Sequence, residues 1–254
     1  AGENWHEFVL WAIENGYGGI ENLSLIPGHV GTAPIQNIGA YGVEVKSSIE
    51  SLRFYRWETG ETEVLNNNVC EFGYRTSVFK TKLRNKGVIL SVNFILTKNE
   101  HNLNTKYGSV IDEINKMGKI PSILNISKAI ISIRSAKLPD PKNIGNSGSF
   151  FKNPIISKNT LIDLREKHKN IPFYVHENSS VKLSAGWLIE MSGWKGKSHG
   201  DAGMHDKQAL VLVNHGNATG EELWDFAKEV KEDVYKNFNI NLEPEVNLIG
   251  LVNN

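Results

Sequence analysis

The sequence has a single cysteine, Cys70, among its 254 residues. One cysteine excludes an internal disulfide framework and is typical of proteins that live in a reducing compartment. No apolar run approaches the ~20 residues that a membrane-spanning helix needs. No signal peptide is visible either. We therefore expect a cytoplasmic globular protein that does not insert into a membrane.

An excess of either charge is also missing, because 28 basic residues balance 28 acidic ones. No net field would recruit nucleic acid or an anionic membrane, so we expect no nucleic-acid partner. The sequence lacks both the G-x-G-x-x-G fingerprint and the P-loop of common nucleotide-binding proteins. His199 and His205 do not have carboxylates or cysteines at metal-ligand spacing, so we predict no metal site.

The chain is long enough for one large or two medium domains. It opens without methionine at Ala1 and enters a helix signal at once, with Asn4 and Glu7 placed as a capping box. We expect from this start that the chain is cut at its N-terminus.

Hydrophobic periodicity predicts a mixture of helices and strands. Helices are expected from Trp5, from Ser122, around Leu161, after Ser184 and after the capping box of Thr219 and Glu222. Strands are expected over residues 49–57 and 62–65 as a hairpin, 87–97 as a buried strand, 209–214, and 242–248. The fold class is therefore α+β.

One glycine-rich stretch, residues 28–42, has glycines at 28, 31, 39 and 42. The amides of such a loop can converge on a phosphate without obstruction from side chains. The pattern alone predicts a structural turn equally well.

A second stretch, residues 145–154, has glycines that let the main chain approach a ligand closely. It presents a hydroxyl, two aromatic faces, an ammonium and an amide on what we expect to be a rigid turn, with Pro154 fixing the exit. A surface turn before a helix explains these ten residues about as well.

Gly-Ser-Phe-Phe-Lys-Asn-Pro at 148–154 resembles the catalytic-serine segment of the UDP-N-acetylenolpyruvoylglucosamine reductases, the FAD enzymes (MurB family) of peptidoglycan synthesis. Pro-Ile-Gln-Asn-Ile-Gly-Ala-Tyr-Gly at 34–42 resembles the segment with which this family lines FAD. Further similar motifs are Gly-Tyr-Arg at 73–75, Lys-Leu-Pro-Asp-Pro at 137–141 and Leu-Glu-Pro-Glu-Val at 242–246. The resemblance runs from Ala1 to about Gly250.

The resemblance implies the second half of a PCMH-type FAD-binding domain followed by a smaller α+β substrate-binding domain. Residues 1–136 would form the FAD-binding subdomain, to which a strand at 239–250 would return, and residues 137–238 the substrate-binding domain. The family's upstream FAD subdomain has no counterpart here, so we expect a fragment. Asn247 stands where the family often has arginine.

The resemblance also implies the roles of individual residues. The catalytic residues would be Ser149, Arg75 and Glu245. Residues of the flavin site would be Gly28, Gly31, Thr32, Ala33, Gln36, Asn37, Gly39 and Gly42. Residues of the substrate site would be Tyr74, Tyr107, Lys137, Lys152, Asn153, Tyr174, Lys195 and Gln208.

The implied reaction is the NADPH-dependent reduction of UDP-N-acetylglucosamine enolpyruvate to UDP-N-acetylmuramate, with FAD as the resident cofactor. Such an enzyme serves cell wall biogenesis, and with it cell shape, cell cycle and cell division. Two alternatives stay open. One is a nucleotide-sugar-binding fragment without catalysis; the other is a different PCMH-type flavin oxidoreductase, in which His29 would be the residue to examine for covalent flavin.

Overall fold

The first helix, α1 (Trp5–Glu14), begins at Asn4, whose side-chain oxygen accepts a hydrogen bond from the Glu7 amide at 3.1 Å. This confirms the predicted helix start. The helix ends at Asn15 and is followed by Gly16 in the left-handed region. The computed structural model describes residues 1–107, 109–176 and 179–250. It divides into a unit spanning Ala1–Ala136 and a second unit that begins at Lys137.

Five strands of the first unit form two antiparallel sheets. A hairpin pairs β1 (Gly39–Ala40) with β2 (Val43–Glu44), and a three-stranded sheet has the order β4-β3-β5. Its strands are β3 (Ile49–Arg56), β4 (Thr62–Asn66) and β5 (Gly87–Phe94). The predicted hairpin is therefore confirmed.

Strand β5 is not the buried strand that we predicted. Val88 and Leu90 are 41% and 42% exposed. The strand lies at the edge of its sheet, with β3 as its one neighbour, and buries only one face. The prediction of a buried strand, which was based on an apolar run without alternation, was therefore wrong for one face of β5.

Two further helices complete the first unit. Helix α2 (Val110–Lys116) was not predicted, whereas α3 (Ile123–Lys137) confirms the expected amphipathic helix. The buried residues of α3 include Ile126, Ala129, Ile130 and Ile133, which follow the helical period. Lys137 is the last residue of α3 rather than the first residue beyond it.

The second unit contains two antiparallel sheets and three helices in the part of the chain that the structure describes. The first sheet has the order β10-β11-β12-β6, and the second β7-β9-β8. The strands are β6 (Gly145–Ser149), β7 (Ile155–Ser157), β8 (Phe173–Val175), β9 (Ser180–Leu183), β10 (Ser198–His199), β11 (Ala202–Met204) and β12 (Val211–Asn214). The helices are α4 (Lys158–Lys167), α5 (Ala185–Met191) and α6 (Gly220–Phe238).

Helix α6 packs on the core of the second unit through residues at helical spacing, among them Phe226, Val230 and Val234. Its start is a complete capping box. The Thr219 hydroxyl accepts from the Glu222 amide, and the Glu222 carboxylate accepts from the Thr219 amide at 2.7 Å. This prediction is confirmed.

Two local expectations are wrong. The segment that begins at Gly145 is strand β6 instead of a rigid turn, because it pairs with β12. Residues 242–248 do not form a regular strand; the segment makes one bridge, between Pro244 and Phe151. The bridge is closed by two backbone hydrogen bonds, from the Glu245 amide to the Phe150 carbonyl and from the Lys152 amide to the Glu243 carbonyl.

Among the described residues, none of the helices combines the length and the apolar character that crossing a membrane requires.

Candidate active site

The glycine-rich stretch ends in the β1–β2 hairpin, whose turn is Tyr41-Gly42. Both turn residues have positive φ, +48° and +78°, which is the pattern of a two-residue type I′ turn. At Gly39 an added Cβ would lie 3.0 Å from the Val43 carbonyl oxygen and 3.0 Å from Arg75 Nη1. A side chain at this position would therefore crowd the Val43 carbonyl and the arginine, and glycine avoids both contacts.

The amides in the first half of the stretch already have acceptors within the chain. Val30 donates to the Glu3 carbonyl, Gly31 to the Ala1 carbonyl at 2.8 Å, and Ala33 to the His29 carbonyl. Of the two interpretations of the glycine pattern, these bonds favour the structural turn for residues 30–33. The hydroxyl of Thr32 is engaged as well, since it donates to the His29 carbonyl. The backbone of residues 28–33 is therefore held by its own hydrogen bonds.

A flavin fits the remaining part of the stretch by the chemistry of its donors. Gly39 and Gly42 add no side chains to the hairpin. Gly28 has φ +117°, a backbone conformation that residues with a side chain rarely adopt. The half-buried Gln36 adds an amide side chain between them. The group of small residues and amides is suited to a planar, hydrogen-bonding cofactor such as FAD.

Arg75 lies at the tip of a tight turn in the first unit. Gly73 and Thr76 exchange backbone hydrogen bonds, and Arg75 between them has φ +52°. A non-glycine residue in this region costs backbone energy, a feature that is often found at functional sites. The Arg75 guanidinium donates to the Gly39 carbonyl at 2.5 Å and lies 5.3 Å from the ring of Tyr74.

Asn37 connects the arginine turn to the glycine-rich stretch. It is 0% exposed, and its side-chain nitrogen donates to the Gly73 carbonyl and to the Glu44 carboxylate, both at 3.0 Å. Its side-chain oxygen accepts from the Lys46 amide. The side chain of Asn37 thus holds the protein's own loops together.

Tyr107 packs against the same hairpin turn. Its ring meets that of Tyr41 edge to face, with 5.9 Å between the ring centroids. Burial raises the pKa of Tyr41, while the neighbouring Arg134 opposes that shift through its charge and a hydrogen bond. The structure therefore brings together Gly39, Gly42, Arg75 and Tyr107 within the first unit.

Ser149 ends strand β6, where it pairs with Val211 across the sheet. Its side chain is exposed, whereas the next two residues, Phe150 and Phe151, are 5% and 0% exposed. The two aromatic faces that we expected to meet a ligand instead pack in the core, at a ring distance of 5.0 Å. The buried pair anchors the strand end that carries Ser149.

Glu245 lies next to this segment because the two chains are hydrogen-bonded. The Glu245 amide donates to the Phe150 carbonyl at 2.8 Å, and the Lys152 amide donates to the Glu243 carbonyl at 2.9 Å. The Lys152 ammonium also pairs with the Glu243 carboxylate at 3.2 Å. Two of the three predicted catalytic residues, Ser149 and Glu245, therefore occupy neighbouring positions in the second unit.

Asn153 and Gln208 both lie close to the first turn of α5. The Asn153 side-chain oxygen accepts from the Ala185 amide at 2.9 Å. The Gln208 side-chain oxygen lies 3.2 Å from the position that a Cβ on Gly186 would take. Gln208 precedes strand β12, which starts at Val211, two residues later than the predicted strand. Gly186 thus allows the close approach of Gln208.

The other predicted substrate residues are spread over the second unit. Tyr174 is 42% exposed on β8, where it pairs with Lys182 of β9. Lys195 follows α5, and its ammonium lies 2.9 Å from the Glu190 carboxylate. Lys137 is exposed at the end of α3.

Sequence patterns missed several residues that hold this site. Glu243 pairs with Lys152, while Asn22 and Asn104 bond to the hairpin turn. No sequence motif includes Asn22, so its role could not be predicted. In the structure it lies among buried residues, where a side-chain amide needs hydrogen-bond partners.

Comparison with protein families gives two matches. A model described as the C-terminal domain of UDP-N-acetylenolpyruvoylglucosamine reductase matches residues 140–249, and a model described as an FAD binding domain matches residues 1–66. A solved structure of the UDP-N-acetylenolpyruvylglucosamine reductase of Thermus caldophilus is similar, with a TM-score of 0.65 over 95% of this chain and 68% of that one. At 22% identity this similarity shows the fold.

Curated proteins are much more similar in sequence. The UDP-N-acetylenolpyruvoylglucosamine reductase of Flavobacterium johnsoniae is 51% identical over 98% of this chain and 74% of its own length. Those of Amoebophilus asiaticus and Bdellovibrio bacteriovorus are 50% and 48% identical, over 98% and 96% of this chain and 74% and 72% of their own lengths. On this similarity, the chain belongs to the UDP-N-acetylenolpyruvoylglucosamine reductase family.

Proposed function

We propose that this chain is an FAD-dependent oxidoreductase that reduces UDP-N-acetylglucosamine enolpyruvate to UDP-N-acetylmuramate with NADPH. The observation that carries the proposal is the pairing of the Ser149 segment with the Glu245 segment over the buried Phe150–Phe151 pair. It brings the backbone of the two segments together, which supports a proposal in which Ser149 and Glu245 act on the same reacting group, since proton transfer to a reacting carbon needs such groups within reach.

The flavin would be held in the first unit, which we propose is the FAD-binding part, residues 1–136. The flavin would contact Gly28, Gln36, Gly39 and Gly42. The loop that carries these residues would be held in place by Gly31, Thr32 and Ala33. When bound and reduced by NADPH, FAD supplies the hydride, which no side chain can provide. Asn37 would act by fixing the loop.

Arg75 would bind the carboxylate of the enolpyruvyl group. A planar guanidinium binds a carboxylate through two hydrogen bonds and stays cationic throughout the reaction. As negative charge spreads onto the carboxylate during reduction, the fixed guanidinium stabilises it where it develops. The bond from Arg75 to the Gly39 carbonyl and the positive φ of Arg75 hold the guanidinium ready for this role.

Ser149 would donate the proton to the carbon that bears the developing charge, and Glu245 in its protonated form would stabilise that charge beside Arg75. Lys152 would polarise the Ser149 hydroxyl from three residues further along the chain. The exposed position of Ser149 at the end of β6 leaves its hydroxyl accessible to substrate.

The residues proposed to bind the nucleotide-sugar portion are Tyr74, Tyr107, Lys137, Lys152, Asn153, Tyr174, Lys195 and Gln208. Residues 137–238 would form the substrate-binding domain. The lysines offer ammonium groups for a diphosphate, and Asn153 and Gln208 offer amides at one turn of α5. In the cell we place this reaction in the cytoplasm, where it would serve cell wall biogenesis, cell shape, the cell cycle and cell division.

The test is NADPH oxidation by this chain in the presence of added FAD and UDP-N-acetylglucosamine enolpyruvate. We expect oxidation that depends on the enolpyruvyl compound, with UDP-N-acetylmuramate as the product. UDP-N-acetylglucosamine, which lacks the enolpyruvyl group, is the matched control and should give none. Equal NADPH oxidation with both compounds, or none with either at saturating FAD, would contradict the proposal. Flavin that stayed attached after denaturation would favour the alternative oxidoreductase instead.

A further inference from the structure

The hairpin turn Tyr41-Gly42 and the segment Asn104–Tyr107, here called the capping segment, are held together by polar contacts within the first unit. The Asn104 side-chain nitrogen donates to the Gly42 carbonyl at 3.1 Å. A Cβ on Gly42 would lie 3.1 Å from that nitrogen and 3.6 Å from Tyr107 Cβ. The capping segment therefore packs directly on the turn, at a position where only glycine fits.

Asn22 joins the same two segments from the buried side. It is 1% exposed, and its side-chain nitrogen donates both hydrogens, one to the Tyr41 carbonyl at 3.0 Å and one to the Asn104 carbonyl at 2.9 Å. Because both carbonyls use the same amide group, a displacement of either segment breaks or bends one of these bonds.

The functional residues on the two segments belong to different ligands. Gly39 and Gly42 of the hairpin belong to the proposed flavin site, whereas Tyr107 of the capping segment belongs to the proposed substrate site. One buried amide thus connects a segment that would contact FAD with a segment that would contact the nucleotide sugar.

We propose that Asn22 is a positioning residue that couples flavin binding to nucleotide-sugar binding by holding the capping segment on the hairpin turn. The inference rests on the proposed function. A ligand that orders one of the two joined segments also orders the other, so the second ligand pays less of the ordering cost. Coupling of this kind is reciprocal, and each ligand tightens the other by the same factor.

The experiment is calorimetric titration of this chain with UDP-N-acetylglucosamine enolpyruvate, without FAD and with saturating oxidised FAD. Oxidised FAD allows binding without turnover. We expect FAD to tighten nucleotide-sugar binding about tenfold in the unchanged chain. In Asn22→Leu, which keeps a similar volume but has no donor, we expect that factor to fall below about twofold, since two buried carbonyls lose their partner.

The matched control is Asn67→Leu. The Asn67 side-chain nitrogen also bridges two backbone carbonyls, those of Lys46 and Ile49, at 2.8 and 2.7 Å. Asn67 belongs to neither of the two proposed ligand sites, so its loss should leave the tenfold factor in place. If Asn22 has only a structural role, Asn22→Leu should behave like Asn67→Leu: each variant should lose stability, and neither should change the coupling factor.

If Asn22→Leu does not fold, Asn104→Ala carries the test. The bond from its side chain to Gly42 is exposed, so this variant should fold, and we expect it to reduce the coupling factor partly. A factor that stays the same in the Asn22 or Asn104 variant, or that is close to one in the unchanged chain, would overturn the inference alone. Failure of the nucleotide sugar to bind under either condition would instead overturn the proposed function.

Discussion

The two units hold their proposed catalytic residues in different ways. In the first unit, Arg75 lies on a turn that buried side-chain amides attach to neighbouring backbone, as Asn37 does at Gly73. In the second unit, Ser149 and Glu245 lie on segments paired by backbone hydrogen bonds above a buried aromatic pair. Side-chain amides position the proposed residue of the first unit, and backbone pairing on an apolar base positions those of the second.

This difference predicts which substitutions should disturb the proposed catalytic residues of each unit. A buried amide that serves two loops cannot be replaced without leaving polar groups unsatisfied. Backbone pairing tolerates changes of exposed side chains, but it depends on the packing beneath it.

Phe151→Ala should lower the free energy of unfolding by about 4 kcal/mol, because it removes a large side chain from a close-packed core. Phe151 is 0% exposed and forms the bridge to Pro244. Urea denaturation measures the loss. Phe173→Ala is the control: Phe173 is 38% exposed, and we expect a loss below about 1 kcal/mol. Equal losses for the two variants would contradict the role of the buried pair as the base of the Ser149 segment.

Asn37→Leu should lower stability by about 2–3 kcal/mol, since the Gly73 carbonyl, the Glu44 carboxylate and the Lys46 amide each lose a hydrogen bond to a buried side chain. We expect the loss to be local to the first unit. Hydrogen exchange followed by mass spectrometry should show faster exchange around residues 72–76 and unchanged exchange in α6. The exposed Asn68 offers a matched control, Asn68→Leu, which should leave exchange around 72–76 unchanged.

Thr219→Ala should cost about 1 kcal/mol, because it removes the cap of α6. Hydrogen bonds from the Thr219 amide and hydroxyl lower the pKa of Glu222. The contribution of Glu222 to stability is therefore present above its unfolded pKa and is lost as the pH falls through the lower folded pKa. Urea midpoints measured at neutral and acidic pH should show this acid-dependent loss in the unchanged chain and a weaker one in Thr219→Ala.

Substitution of His6, in the first unit, should have the smallest effect on stability. Burial lowers its pKa below the ordinary value of 6.5; the charge of Arg134 adds to the shift, and that of Glu7 opposes it. Its Nδ1 accepts from the Leu25 amide at 3.0 Å, which requires the neutral ring. Stability from this group is present above pH 6.5 and is lost as the pH falls towards the folded pKa. His6→Gln should remove this part of the acid dependence, and an unchanged acid dependence would contradict it.

Much of the fold could be predicted because its signals are local. The caps of α1 and α6, the β3–β4 hairpin and the buried face of α3 all follow from residues close together in the chain. Helix α2 and the exposed face of β5 could not be predicted. A seven-residue helix has little periodicity, and the exposure of an apolar strand depends on which segments pack against it.

The site residues could be named from motifs, but not the contacts that position them. The interval from Ser149 to Glu245 contains a whole sheet and helix α6, and no local rule predicts that their segments pair. Phe150 and Phe151 looked like ligand-facing aromatics because they adjoin the serine, but both lie just beyond the end of β6 and pack in the core of the second unit. Asn22 and Asn37 act through partners that are distant in sequence.

The central claim is that Ser149 donates a proton in the second half of the reaction. Rapid-mixing absorbance at the flavin band would follow both half-reactions of Ser149→Ala, with Ser147→Ala, an exposed serine of the same strand, as the control. We predict that NADPH reduces the flavin at the same rate in both variants and that reoxidation by UDP-N-acetylglucosamine enolpyruvate slows on the order of 100-fold or more in Ser149→Ala alone. Reoxidation of Ser149→Ala at the rate of the control would contradict the account.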